Sequence, residues 1–218
     1  MTRPHLLISA DFDGTVTRQD TLVQILDKYG DPDWRKIQDR VVSGEITIRD
    51  GLQREMGSVR ASAAEKRDLL QSKVEVDPAF PGFLERMRQR GIPVVILSGG
   101  FDFCVETVMV KSGAWPIPFL ANRLQHDRGS WKVEFPYPSA LCDACGHCKG
   151  DPIRAWKEQG YLTVFAGNGV TDRCGALAAD LTFAKDELDR WCAAQGISAV
   201  GYATFDDVEQ ELSRRGWL

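Results

Sequence analysis

Two aspartates one residue apart, in Asp11-Phe12-Asp13-Gly14-Thr15, stand directly after the short apolar run Leu6–Ala10. A pair of this kind can divide one hard displacement at phosphorus into two easier ones. One carboxylate attacks and forms an acyl-phosphate. The other gives a proton to the leaving oxygen and later takes one from the attacking water. Asp11 is placed as the nucleophile and Asp13 as the acid and base. On an extended segment the two would point to opposite sides, so a turn just past the strand has to swing Asp13 back. Charge spread over the phosphoryl oxygens calls for preorganised donors and cations. Ser98 and the Gly99 backbone N–H of Ser98-Gly99-Gly100, with Lys149, are placed as phosphate ligands. Mg²⁺ prefers hard oxygens, which Asp11, the Asp13 carbonyl, Asn168 and Asp172 offer. A lone Asp-x-Asp could be only a solvated turn. Three strand ends, each bearing Gly and small polar groups, make that reading a poor one.

The elements that must hold these residues follow from the apolar pattern. Leu6–Ala10, Ile92–Leu97, Tyr161–Ala166 and Leu181–Ala184, with a weaker Ile197–Gly201, are near-continuous apolar runs. Runs of that kind mark parallel strands covered on both faces. Helical spacing lies between them: Phe83, Leu84 and Met87 before Gly91, then Ile153 with Trp156, then Val208 with Leu212. Alternation of this type predicts an α/β core around a parallel sheet. In such sheets ligands bind outside the carboxyl ends of the strands, where Asp11, Ser98 and Gly167–Asp172 fall. The alternation fails over 20–77, which reads as helical throughout. Thr47-x-x-Asp50 and Ser62-x-x-Glu65 give two helix starts there. The division expected is a core of 1–19 and 78–218 with a small helical insert of 20–77. Over Leu120–Phe135, turn residues between mixed arms predict a β-hairpin projecting from the core.

In order and position, Asp11–Thr15, Ser98-Gly99-Gly100, Lys149 and Gly167–Asp172 resemble the four motifs of the haloacid dehalogenase (HAD) superfamily phosphatases. The resemblance covers essentially the whole chain. It implies a Rossmann-like core, an Mg²⁺-dependent phosphomonoesterase, an aspartyl-phosphate on Asp11, and a helical cap of the phosphoserine-phosphatase type. The fourth motif usually begins Gly-Asp. Here it reads Gly167-Asn168, which keeps an oxygen for Mg²⁺ and loses a charge, so weaker metal binding is expected unless Asp172 takes over.

Within that family, Asp31–Trp34, Ile48–Gly51, Ser98–Phe103 and Phe183–Asp186 are most similar to the 2-hydroxy-3-keto-5-methylthiopentenyl-1-phosphate phosphatases. Phosphoserine phosphatases and phosphocholine/phosphoethanolamine phosphatases are the nearest alternatives. Asp20, Arg54 and Thr171 are placed as substrate contacts. Asp20 could equally be a helix N-cap, and Arg54 a solvated charge. Cys142-x2-Cys145-Gly146-His147-Cys148 has spacing that structural zinc uses. However, His147 adjoins Cys148 and no second Cys pair exists, so a compact reduced loop positioning Lys149 is preferred to zinc at Cys142, Cys145 and Cys148.

With 27 Lys and Arg against 31 Asp and Glu, the formal net charge is −4, and no basic stripe runs along the 218 residues. General binding to nucleic acid or anionic lipid is therefore not expected. No apolar stretch approaches the ~20 residues of a membrane span, and Asp11 and Asp13 interrupt any secretory core. A cytoplasmic enzyme acting on a small phosphorylated metabolite is expected. A non-catalytic phosphometabolite-binding module and a zinc-stabilised interaction protein are the competing classes.

Overall fold

The apolar runs form the middle of a seven-stranded sheet. The computed structural model describes residues 5–127, 130–140 and 145–218. Its strands are β1 (Leu6–Ala10), β2 (Val94–Phe101), β3 (Phe119–Asp127), β4 (Ser130–Glu134), β5 (Leu162–Gly167), β6 (Leu181–Ala184) and β7 (Val200–Gly201). They lie in the order β4-β3-β2-β1-β5-β6-β7, and every neighbouring pair is parallel except β3 with β4. All five residues of β1 are buried, which is why it shows no alternation. Its one polar side chain, Ser9, donates to the Val164 carbonyl at 3.0 Å. From β1 the chain builds outward to β2 and β3 on one side and to β5, β6 and β7 on the other. The carboxyl end of β1 therefore opens at the switch point where α/β sheets bind ligands.

Ten helices accompany the described strands. They are α1 (Thr21–Tyr29), α2 (Trp34–Val42), α3 (Ile48–Ser58), α4 (Ala63–Lys73), α5 (Phe80–Gln89), α6 (Asp102–Lys111), α7 (Gly150–Glu158), α8 (Arg173–Ala178), α9 (Asp186–Ala194) and α10 (Phe205–Arg214). The hairpin expected over Leu120–Phe135 is present as β3 and β4. The start of β3 pairs in parallel with β2 through Ile96–Phe119 and Leu97–Leu120, that ladder ends at Asn122, and from Arg123 onward the two arms pair with each other. The hairpin's turn, 128–129, lies outside the described residues.

Helices α1–α4 leave and rejoin the core through a two-stranded neck. Thr17 bridges Val76, the Arg18 N–H donates to the Glu75 carbonyl at 2.8 Å, and the Asp77 N–H donates to the Val16 carbonyl at 2.9 Å. Buried Asp77 then accepts from the N–H groups of Ala79 and Phe205, both at 2.9 Å, tying the neck to the starts of α5 and α10. One apolar cluster runs without a break from Ile8 and Phe12 to Ile25, Met56 and Leu70 of the insert. Trp131 of β4 also donates from Nε1 to the Ala61 carbonyl at 2.8 Å. Among the described residues, no helix is long and apolar enough to cross a membrane.

Both expected helix starts in the insert are capped. The Asp50 N–H donates to Thr47 Oγ1 at 3.0 Å, and Ser62 and Glu65 form a reciprocal capping box. Replacing Ser62 by Ala removes the cap of α4. It should cost about 1 kcal/mol and lower the thermal midpoint by about 2–4 °C, which a calorimetric or circular-dichroism melt reads directly.

Candidate active site

The sheet places Asp11. Its N–H donates to the Ala166 carbonyl at 2.9 Å, extending the β1–β5 ladder by one residue, and the side chain is buried. A single wide helical turn over Phe12–Val16 follows, with Gly14 in the left-handed region at φ +76°. A Cβ at residue 14 would collide with the Asn168 side chain, so the turn needs glycine on two counts. This turn brings Asp13 back beside Asp11, as the spacing required. Asp13 Oδ1 accepts the Thr21 N–H at 2.7 Å, which fastens the carboxylate to the first turn of α1.

Lys149 starts α7 and is fully buried. Its ammonium touches one oxygen each of Asp11 and Asp172. Asp172, also fully buried, uses its other oxygen to accept the N–H groups of Asn168 (2.8 Å) and Gly169 (2.9 Å). A lysine between two carboxylates out of water is a coupled set: each charge is tolerable only because the others are there. Burial and the Asp172 charge push Asp11 up to about 7, against the pull of Lys149. Burial opposes the charge on Lys149, but Asp11 and Asp172 outweigh it and raise the ammonium above its ordinary range. Asp13 is raised well above the usual carboxylate range by burial and by Asp20, with the Thr21 N–H pulling the other way.

Ser98 is fully buried, and its Oγ accepts the Gly100 N–H at 2.9 Å. Gly99 and Gly100 face the cleft, and a Cβ at Gly100 would come within 3.0 Å of Asp13 Oδ2. Asp20 caps α1 by accepting the Val23 N–H at 2.9 Å, and it also lines the cleft. Thr171 is exposed on the rim. The cleft, about 350 Å³, lies between these strand ends and Leu22, Ile48 and Leu52 of the insert.

Two expected site residues are placed differently. Asp172 has both oxygens engaged, because the short turn Val170–Asp172 folds its carboxylate back under the loop. It braces Lys149 through one oxygen and the loop through the other. Arg54 is exposed on α3 and lines neither the cleft nor the cavity beside it, while the next residue, Glu55, turns inward. Glu55 is a residue that the spacing alone did not single out.

Asn168 sits where the family motif would have its acid. One end of its amide lies 3.0 Å from Thr15 Oγ1, 3.1 Å from the Asp13 carbonyl oxygen and 3.2 Å from Asp11 Oδ2. With nitrogen inward it donates to all three. With oxygen inward, three oxygens face one another and a cation is needed between them. Separations near 3 Å match neighbouring ligands of an octahedral Mg²⁺ held at about 2.1 Å, so this donor set fits the ion. Among the described residues, no three His, Cys, Asp or Glu side chains form a ready metal cluster. Cys142 of the proposed zinc run lies outside the described residues. Cys148 is a buried free thiol, and buried His147 has its imidazole lowered to about 4, chiefly by burial.

With this geometry in view, the chain belongs to the haloacid dehalogenase-like hydrolase family, whose sequence model matches residues 8–176. The resemblance read from the four motifs is thereby borne out. The chain is 29% identical to the 2-hydroxy-3-keto-5-methylthiopentenyl-1-phosphate phosphatase of Bacillus velezensis, covering 100% of this chain and 95% of that protein. It is 28% identical to the enzyme of the same name from Bacillus pumilus, covering 95% and 91%. It is also 32% identical to the bifunctional enzyme MtnB/MtnX of Bacillus licheniformis, over 94% of this chain; there it spans about half of the relative, 49%. Among solved structures, a phospho-aspartyl intermediate analogue of phosphoserine phosphatase superposes with a TM-score of 0.72 at 19% identity, over 97% of this chain and 99% of that one. The α/β class and the Rossmann-like parallel sheet are those expected.

Removing the ammonium should expose how far the two carboxylates depend on it. Lys149→Met leaves Asp11 and Asp172 buried and uncompensated, at an expected cost of about 3–5 kcal/mol in chelator-treated protein at pH 8. The loss should shrink at pH 5, where Asp11 takes up a proton; urea unfolding at the two pH values checks it. Glu55 titrates near 7 in the folded chain, raised from 4.5 chiefly by burial and then by Asp20. Its ionisation therefore destabilises the fold as pH rises through 7, and this penalty is absent below the unfolded value. Glu55→Gln should gain stability over the parent between pH 5 and pH 8 in the same measurement.

Proposed function

We propose that this chain is an Mg²⁺-dependent phosphomonoesterase that turns over a small phosphorylated metabolite through an aspartyl-phosphate on Asp11. The observation that carries this is the pairing of a sheet-anchored, lysine-clamped Asp11 with a half-buried Asp13 held at the same strand end by the Thr21 N–H. The Asp11 carboxylate attacks phosphorus, forming an O–P bond as the ester O–P bond breaks. Asp13, kept protonated by its surroundings, gives its proton to the departing alkoxide. It then takes a proton from water, which attacks phosphorus and releases Asp11. Lys149, the Ser98 hydroxyl and the Gly99 N–H hold the phosphoryl oxygens. The Asp11 carboxylate, the Asp13 carbonyl and the Asn168 side chain would hold Mg²⁺, which when bound offsets phosphoryl charge. Residues 20–77 act as the cap over the cleft, with the neck as its hinge, excluding water during turnover.

The finer reading of the substrate is 2-hydroxy-3-keto-5-methylthiopentenyl-1-phosphate or a close relative. The names of two relatives that match nearly end to end support it, as do the apolar Leu22, Ile48 and Leu52 above the cleft. Asn168 favours a modest metal affinity, since one carboxylate charge is missing from the set. The test is phosphate release in Mg²⁺ across a panel holding that ester, phosphoserine, phosphocholine and phosphoethanolamine. Asp11→Asn should lower kcat by about 10⁴-fold or more on every substrate turned over. Asn168→Asp should lower the Mg²⁺ concentration for half-maximal rate by about tenfold. Turnover that survives Asp11→Asn would contradict the mechanism, and an unchanged Mg²⁺ dependence would remove residue 168 from the metal set.

A further inference from the structure

The cleft does not end at the insert. Beyond Leu22, Ile48 and Leu52 it continues into a second cavity of about 440 Å³, which shares those three residues, Gln38 and the Val170-Thr171 rim with the first. Glu55 lines this second space, one helical turn beyond Leu52 on α3. It is 6% exposed, yet its carboxyl has no hydrogen-bond partner among the described residues. Neither of its oxygens is sealed off, so the group stays open to the cavity. Its neighbours on that wall, Leu22, Val41 and Leu52, are apolar and offer it no polar side chain to pair with. The missing partner is therefore to be sought in whatever enters the cavity.

The charges around it narrow what that can be. Asp20 in the cleft and Glu187 at the rim are both acidic. The one cationic side chain lining the second cavity, among the described residues, is Arg173. It is already paired with Glu187 at 3.4 Å and laid over the Trp191 ring. Arg54, the cation that could have received an anionic group, faces away. Among the described residues, no Phe, Tyr or Trp side chain lines either space to cradle a quaternary ammonium. A hydroxyl or carbonyl oxygen suits Glu55, because a carboxyl that is protonated part of the time can both donate and accept.

We propose that Glu55 is a specificity-determining residue: it hydrogen-bonds an uncharged hydroxyl or carbonyl oxygen in the body of the substrate and, with Asp20, turns away phosphomonoesters that carry a carboxylate there. This rests on the phosphomonoesterase reading and adds to it the residue that selects among substrates. A burial-raised acid that carries its proton near neutral pH is consistent with the donor role.

The test compares sn-glycerol 3-phosphate with 3-phosphoglycerate, esters of one chain length that differ in a terminal hydroxyl against a carboxylate. In Mg²⁺ the parent should favour the neutral ester in kcat/KM by about 10²-fold. Glu55→Gln keeps a donor and an acceptor but loses the charge, and should narrow the ratio about tenfold by improving 3-phosphoglycerate. Glu55→Leu loses both, and should lower kcat/KM for glycerol 3-phosphate about tenfold, mostly through KM. Ratios within about twofold of the parent in both variants, or a parent without preference, would overturn the proposal alone. A parent that favours phosphoethanolamine over both esters, and loses that preference in Glu55→Gln, would overturn it in favour of a cationic body. A folded, Mg²⁺-supplied parent that hydrolyses no phosphomonoester would overturn the underlying reading together with it.

Discussion

One ammonium group, excluded from water, touches two carboxylates from different parts of the chain, and much of the site hangs on that contact. Lys149 arrives from the start of α7, Asp11 from the end of β1 and Asp172 from the loop after β5. Without the lysine, two buried negative charges would face each other; without either aspartate, a buried ammonium would lose half its compensation. The triad therefore holds three segments in register with more discrimination than apolar packing alone supplies. It also determines the shape of the Gly167–Asp172 loop, because the second Asp172 oxygen gathers the N–H groups of Asn168 and Gly169. That in turn leaves the Asn168 amide against Asp11 and the Asp13 carbonyl.

From this fixed floor the site reaches upward into the insert. Asp13 accepts the first N–H of α1, so the proposed proton donor is also the joint between core and insert. The neck at Thr17–Val76 and the buried Asp77 hold the other side of that joint. A continuous apolar core through Phe12, Val16 and Ile25 means that the insert is no separately folded bead on a string. Any opening has to take place in the few residues of the neck and the cleft wall.

Much of this was legible in the residues themselves. β1 and β6 fall where the apolar runs ended, because fully buried parallel strands carry no polar interruptions to blur them. Thr47 and Ser62 mark their helices through side-chain chemistry that is local and hence readable. Helix α6 left no clear mark: Phe103, Cys104, Val105, Val108 and Met109 are apolar on most sides, and a short run of that kind suits a strand as well as a helix. The hairpin was visible, but its pairing with β2 was not, since register across strands is a long-range fact. Asp11, Asp13, Ser98 and Lys149 converge as motif order implied. That Asp172 turns under its loop and Arg54 faces outward was not legible, because which way a side chain turns depends on a loop's hydrogen bonds or a helix's phase against its neighbours. Glu55 stayed hidden for the same reason: one residue from Arg54, only the phase of α3 tells inward from outward.

The account turns on Asp11 making a bond to phosphorus, and peptide mapping of the quenched enzyme tests that most directly. Enzyme mixed with a turned-over phosphomonoester in Mg²⁺ would be acid-quenched over a series of times and reduced with borohydride to fix any acyl-phosphate. The account predicts modification at Asp11, rising and falling with turnover and absent in Asp11→Asn. A phosphoryl group found on any other residue, or product formed with Asp11 unmodified at every quench time, would contradict it.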